Sequence, residues 1–252
     1  MAFVIAVSGK GGTGKTTLAA LMVRWLTEVR GRAVLAVDAD PNSCLGEALG
    51  VVPERTIADI REDTRDDRLN LGAGMSKERQ IEYLIQSCVV EGRKFDLLTM
   101  GRPEGPKCYC YVNNLLRKYL DTVSADYPFV VVDNEAGMEH LSRLTTNNVD
   151  ELFIISDATT QGARTVGRIL EIAGELPIEV KRREVILNRT SDEDDVENFR
   201  RAAGCPVALE VPHDSALYRL RASGGSVFDL PDTSPSYARL AQFLRQRLAG
   251  QG

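Results

Sequence analysis

Lys10 and Lys15, with Gly9, Gly11, Gly12, Thr13 and Gly14 around them and Thr16 and Thr17 behind, form the densest group of chemistry-bearing residues in the chain. The stretch follows the apolar run Phe3-Val4-Ile5-Ala6-Val7 and precedes Leu18-Ala19-Ala20-Leu21, an order that reads strand, loop, helix. Glycines let backbone N–H groups curl around phosphate oxygens, the helix N-terminus adds its positive end, and Lys15 brings a cation to the outer phosphates. The Thr16 hydroxyl would hold Mg²⁺. A fortuitous Gly-rich turn is the weaker reading, because strand and helix signals flank the loop on the correct sides. The spacing predicts a P-loop for a nucleoside triphosphate.

Cys108 and Cys110 are the second constellation, in Gly101-Arg102-Pro103-Glu104-Gly105-Pro106-Lys107-Cys108-Tyr109-Cys110. In an extended turn an i, i+2 spacing puts both sulfurs on one side, within reach of one soft metal ion, whereas a helix would splay them. A tetrahedral or square-planar set still needs two more donors. Lys107 and the start of the helical stretch Asn113 to Leu120 would favour the thiolates. Two cysteines packing at a helix start are the plainer alternative. Cys44, Cys88 and Cys205 read as small buried hydrophobes, and five scattered cysteines make no disulfide framework.

The elements that position these groups are legible as short apolar runs at 3 to 7, 33 to 37, 97 to 100, 129 to 132, 152 to 155, 184 to 187 and 207 to 209, with helical patterns between most of them. Unbroken apolar strands need helices on both faces, so an α/β, doubly wound, mainly parallel sheet of seven or so strands is expected, as one domain over 1–252. Ligands then gather at the carboxyl ends of the strands. Asp38 to Pro41, Gly101 to Cys110, Asp133 to Gly137, Asn188-Arg189 and Pro212-His213-Asp214 all follow such ends. Asp133, after a buried strand, stands where an acid holds Mg²⁺ through water. The acidic run Ser191 to Asp195 lacks the pattern of a calcium loop and reads as a cap with acids in a first helical turn.

Composition narrows the function. At 252 residues with 43% hydrophobic residues the chain can bury a large core, and 31 basic against 36 acidic residues give a net charge of −5. Neither a cationic nucleic-acid surface nor a membrane span of about 20 apolar residues is evident, and residues 1 to 8 read as a buried strand rather than a signal peptide. No nucleic acid, no membrane and a cytoplasmic location are the expectations.

With Lys10 one place after the first glycine, Lys-Gly-Gly-Thr-Gly-Lys-Thr resembles the deviant Walker A motif of the MinD, ParA and nitrogenase iron protein superfamily. The resemblance implies that Lys10 reaches phosphates bound by a partner subunit, hence a nucleotide-sandwich homodimer whose hydrolysis depends on closure. Val37-Asp38-Ala39-Asp40-Pro41 resembles the first switch, which implies that Asp40 orients the attacking water and Asp38 supports Mg²⁺. Asn134 to Gly137 would be the second switch, Gly137 sensing the γ-phosphate. Asn188-Arg189 and Pro212-His213-Asp214 fall where the superfamily holds adenine, Asn188 by its amide and the later loop by backbone, which implies ATP and ADP as ligands.

Gly105-Pro106-Lys107-Cys108-Tyr109-Cys110, Asp133-Asn134-Glu135-Ala136-Gly137-Met138-Glu139-His140 and Asp38-Ala39-Asp40-Pro41-Asn42 together resemble the CooC family, nickel-handling ATPases that mature carbon monoxide dehydrogenase, and the related acetyl-CoA synthase accessory ATPases. Carried over, this implies that Cys108 and Cys110 from two subunits hold Ni²⁺, with Zn²⁺ a competitor, for delivery to an apo carbon monoxide dehydrogenase or related nickel enzyme. An iron-sulfur ATPase resembling nitrogenase iron protein is one rival, disfavoured because residues 133 to 142 hold no cysteine. A MinD- or ParA-type positioning ATPase is the other. The stripe Tyr237, Leu240, Phe243, Leu244 and Leu248, opposite Arg239, Arg245 and Arg247, could serve a membrane but is expected to pack on the sheet.

Overall fold

The structure, a computed structural model, describes residues 2–60, 77–102, 119–120, 126–136, 148–175 and 179–250. Within them the strands are β1 (Phe3–Gly9), β2 (Val34–Ala39), β3 (Val90–Glu91), β4 (Phe95–Thr99), β5 (Phe129–Asn134), β6 (Asn148–Ser156), β7 (Glu179–Thr190) and β8 (Val207–Pro212). All seven apolar runs are therefore strands. They form one eight-stranded sheet in the order β3-β4-β2-β5-β1-β6-β7-β8, and only the β3–β4 pair, Val90 opposite Leu97 and Glu91 opposite Asp96, is antiparallel. β3 escapes a sequence reading because two residues show no period. β7 begins earlier than its apolar run, since Lys181 and Arg182 form ion pairs with Asp150 and Glu151 of β6 instead of facing the core.

The described helices are α1 (Lys15–Glu28), α2 (Leu45–Leu49), α3 (Lys77–Gln86), α4 (Thr160–Glu175), α5 (Glu193–Ala203), α6 (Ser215–Ala222) and α7 (Pro235–Arg247), with a 3₁₀ turn at Val227–Asp229. Side chains alternate across the sheet, so Ile5, Val7, Val34, Ala36, Phe129 and Val131 pack into one core with α1, α2 and α7. Leu35, Val37, Val130 and Val132 point into the core on the opposite face, and there α4 and α5 cover β6 and β7. α1 is buried almost all round, Leu18 to Val23 being 0% exposed, as an unbroken apolar helix requires. It lies beneath α2, the 3₁₀ turn and α7.

α7 packs as expected: Tyr237, Leu240, Leu244 and Leu248 are buried and Phe243 meets Phe153 edge-on at 5.9 Å. Arg239 and Arg245 are exposed, but Arg247 is not a free surface charge, because it pairs with the buried Glu151 at 3.1 Å and with Glu184. Arg24, also buried, donates to Val227 O at 3.0 Å and Leu230 O at 2.6 Å and stacks on Tyr237 with 4.2 Å to the ring centroid, tying α1 to the C-terminal segment. Among the described residues no helix is long and apolar enough to cross a membrane. The acids after Ser191 do open α5. Of the three cysteines expected to be buried, Cys88 is buried and Cys205 half-buried, but Cys44 is exposed. It lies in the turn between β2 and α2, past the carboxyl end of β2 and so outside the core.

Candidate functional site

The loop after β1 takes a shape that only its glycines permit. Gly9 has φ +145°, and a Cβ there would be driven into Ile155 O of β6; Gly14 has φ +91°, and a Cβ there would collide with the Asn188 amide. The loop closes on itself through Thr13 Oγ1, which donates to Lys10 O at 2.8 Å, and α1 begins with Leu18 N donating to Gly14 O at 3.0 Å. Lys15 is buried to 6% exposure, and its Nζ donates to Lys10 O at 3.4 Å. Burial lowers its pKa, while Asp133, Asp40 and Glu135 raise it in opposition, so the ammonium faces three carboxylates from two other loops.

Two of those loops end adjacent strands. Asp38 of β2 and Asp133 of β5 are paired in the parallel register, which sets both carboxyl groups on the same face as the P-loop helix. Asp38 Oδ2 accepts from Leu45 N at 2.8 Å and Oδ1 from Asp40 N at 3.2 Å. Asp133 is 1% exposed and neither of its oxygens has a hydrogen bond of ordinary geometry, although the Thr16 hydroxyl and Lys15 favour its charged form. Burial dominates, and each carboxyl group is pushed up to about 7, Asp38 further by its neighbour Asp133. Two buried acids, one with orphaned oxygens beside a threonine hydroxyl, fit Mg²⁺, an all-oxygen ligand taker that offsets exactly the charge burial disfavours. Thr16, Asp38 and Asp133, the residues expected to serve Mg²⁺, are thus brought together. Asp40 stands at the rim, its Oδ1 accepting from Asn42 N at 2.8 Å and Asn42 Nδ2 at 2.9 Å. Gly11 lies close to Ala136, in the segment expected to be the second switch, where a Cβ would sit 3.7 Å from Ala136 Cβ.

A cleft of about 240 Å³ opens beside α1, lined by Thr17, Asn188, Arg189, Pro212, His213 and Asp214. Five of these, Asn188, Arg189, Pro212, His213 and Asp214, are the residues the resemblance assigns to adenine, joined in one concavity with Thr17 of the P-loop. Their side chains do different work, however. The Asn188 amide, expected on the purine, donates one N–H to Thr13 O at 2.8 Å and accepts from Arg189 N at 3.0 Å, which leaves its second N–H for a ligand. Arg189, with φ +61°, reaches Gly12 O at 3.2 Å. Both brace the P-loop. Asp214 caps α6 through Ala216 N and Leu217 N, and its other oxygen accepts from the hydroxyls of Ser234 and Ser236. Burial alone would raise its pKa, but these hydrogen bonds outweigh burial and hold it at about 2. His213 N donates to Thr190 O at 3.0 Å, joining the loop to β7.

Lys10 is half-exposed and its Nζ donates to Gln161 Oε1 of α4 at 3.1 Å, away from its own loop. Gln161, and Tyr218 and Arg221 of the cleft wall, are site neighbours that sequence reasoning missed. No motif announces them, because they reach the P-loop only through folding. Gly137, Cys108 and Cys110 lie outside the described residues.

A glycine-shaped loop, a buried lysine and two strand-end acids on a parallel sheet define a P-loop nucleoside triphosphatase. The chain belongs to the CobQ/CobB/MinD/ParA nucleotide-binding domain family, whose model matches residues 4–227. It is accordingly an ATP-binding P-loop ATPase. It is 40% identical over 243 residues to an uncharacterized ATP-binding protein of Methanocaldococcus jannaschii, covering 95% of this chain and 96% of that one. It is 31% identical over 238 residues to the carbon monoxide dehydrogenase accessory protein CooC of Rhodospirillum rubrum, covering 90% and 89%. The fold is similar to that of a ParA family ATPase from Chlorobium tepidum (TM-score 0.72, 23% identity, 96% and 98% covered). It is also similar to MinD complexed with Mg-ADP from Pyrococcus horikoshii (TM-score 0.70, 19% identity, 99% and 98% covered).

Proposed function

We propose that this ATPase works as a nucleotide-switched homodimer that carries Ni²⁺ between Cys108 and Cys110 of its two subunits and assists insertion of nickel into carbon monoxide dehydrogenase or a related enzyme. The observation that carries the reading is the pairing of a Cys-x-Cys after β4 with a likeness to CooC over nine-tenths of this chain. Lys15 would neutralise the outer phosphates from within, and Asp40 at the rim would orient the attacking water. Mg²⁺, held by Thr16 and, through water, Asp38 and Asp133, would offset charge on the phosphates. Lys10 is suited to act across an interface, since its ammonium projects outward to Gln161 while Lys15 alone points inward. Closing on ATP would bring the second pair of thiolates needed for a four-donor site, and hydrolysis would open it.

Nickel titration of the purified protein with ADP or ATP, followed by sedimentation, tests this directly. One Ni²⁺ per dimer is expected, lost in the Cys108→Ala, Cys110→Ala double variant with ATP binding intact. Full nickel binding by that variant would sink the assignment, and an iron-sulfur absorbance instead would favour the reductase rival. A MinD-type membrane role receives no support from α7, whose apolar stripe is buried in the core. ATP-dependent sedimentation with liposomes would reverse that judgement.

A further inference from the structure

Arg221 stands where the base cleft meets the first switch. Its side chain, 19% exposed, lines the cleft next to Tyr218. Away from the cleft, Nη1 donates to Glu47 O at 3.3 Å and Nη2 pairs with Glu47 Oε1 at 3.5 Å. Nη1 also donates to Gly225 O at 2.7 Å, which fixes the guanidinium against the turn following α6.

Glu47 is the middle residue of α2, a single helical turn. At the front of α2, Leu45 N donates to Asp38 Oδ2 at 2.8 Å. At its back, Ser226 Oγ donates to Ala48 O at 3.5 Å, and Gly50, at φ +79°, lies so near Ser226 that a Cβ would stand 2.9 Å from Ser226 Cβ. Arg221 and the turn after α6 therefore hold α2 and its cap at three places, Glu47, Ala48 and Gly50, while the opposite end of α2 holds the Asp38 carboxylate. So short a helix has no internal joint, and displacement at Glu47 must reach Leu45.

We infer that Arg221 is a positioning residue that couples occupancy of the base cleft to the first switch: a bound nucleoside sets Arg221, Arg221 sets α2, and α2 sets Asp38. The phosphate machinery is then fully aligned only when the nucleoside part of the substrate is in place. A baseless polyphosphate, which satisfies the P-loop but leaves the cleft, would bind without ordering α2. This inference rests on the assignment of the chain as an ATPase and is independent of the nickel reading.

Hydrogen exchange of the α2 amides in saturating ADP and in saturating inorganic diphosphate isolates the nucleoside, because the phosphates are common to both. In the native protein ADP should slow exchange over residues 45 to 50 about five-fold or more beyond diphosphate, a coupling of ordinary size. Arg221→Met should abolish that difference. Glu47→Arg, which lies outside the cleft and repels Arg221, should abolish it too, and kcat for ATP should fall in both variants by a similar factor. Should Arg221→Met fail to bind ADP, Glu47→Arg decides alone. Equal protection by ADP and diphosphate in the native protein, or protection that survives in Glu47→Arg, overturns the inference.

Discussion

Asp38 and Asp133 face the same side of the sheet from paired positions on β2 and β5, both 1% exposed or less, and the Lys15 ammonium offsets part of the Asp133 charge. Each carboxyl group is raised to about 7 by burial. A raised acid binds a proton in the folded state that the unfolded chain has already released, so stability falls as pH rises from the ordinary carboxylate range to about 7. Asp133→Asn should therefore stabilise the nucleotide-free protein at pH 8 by on the order of 2 kcal/mol while changing little at pH 4. Thermal melts at the two pH values check this, and the same variant should lose Mg²⁺-dependent hydrolysis.

Lys10→Ala should abolish ATP hydrolysis, a loss of about 10³-fold or more if the ammonium acts as a trans cation on the transferring phosphoryl group. Nucleotide binding to the single chain should persist, because the loop contact to Lys10 is made by its main-chain oxygen, which accepts from Thr13 and Lys15. Turnover at the native rate would remove Lys10 from the mechanism. Fluorescent nucleotide titration separates binding from turnover.

Gly14→Ala tests the loop's shape. A methyl group at φ +91° is strained and would displace the Asn188 amide from Thr13 O. Loss of ATP affinity by about ten-fold or more is expected, with the far-UV circular dichroism of the sheet preserved. Retained affinity would mean that Asn188 does not brace the loop.

Asp214→Ala removes the cap of α6 and the acceptor of Ser234 and Ser236, and should destabilise the protein by about 1–2 kcal/mol at neutral pH. Its pKa is held at about 2, below the ordinary carboxylate range, so the stabilisation is present above that range and fades as pH falls through about 2. The difference between native and variant in urea melts should therefore shrink steadily as pH falls from 4 toward 2. KM for ATP should rise in the variant, because the Pro212-His213 loop loses its anchor.

How far these groups could be located without coordinates depends on the range of the physics behind each. The P-loop, Asp38, Asp40 and Asp133 were legible because each is local: glycine freedom, a buried apolar run and the polar residue that ends it are properties of a few neighbours. The same locality revealed seven strands and hid β3, which exists only because its two residues meet the edge of β4. Cys44 departs from the expectation for its residue type for the converse reason. Residue type suggests burial, but the chain leaving the carboxyl end of β2 carries it into the exposed turn before α2.

The amino-acid sequence by itself determined the class of fold, the nucleotide chemistry and the strand ends at which that chemistry gathers, since these follow from periodicity and short-range stereochemistry. Only the tertiary structure decided that the Asn188 amide braces Thr13, that Lys10 leans on Gln161, that Arg24 ties α1 to α7 and that Arg221 grips α2. Each of these contacts joins residues more than 140 positions apart. A hydrogen bond or ion pair at such separation leaves no periodic trace along the chain, and its partners are chosen by which strands the sheet places side by side.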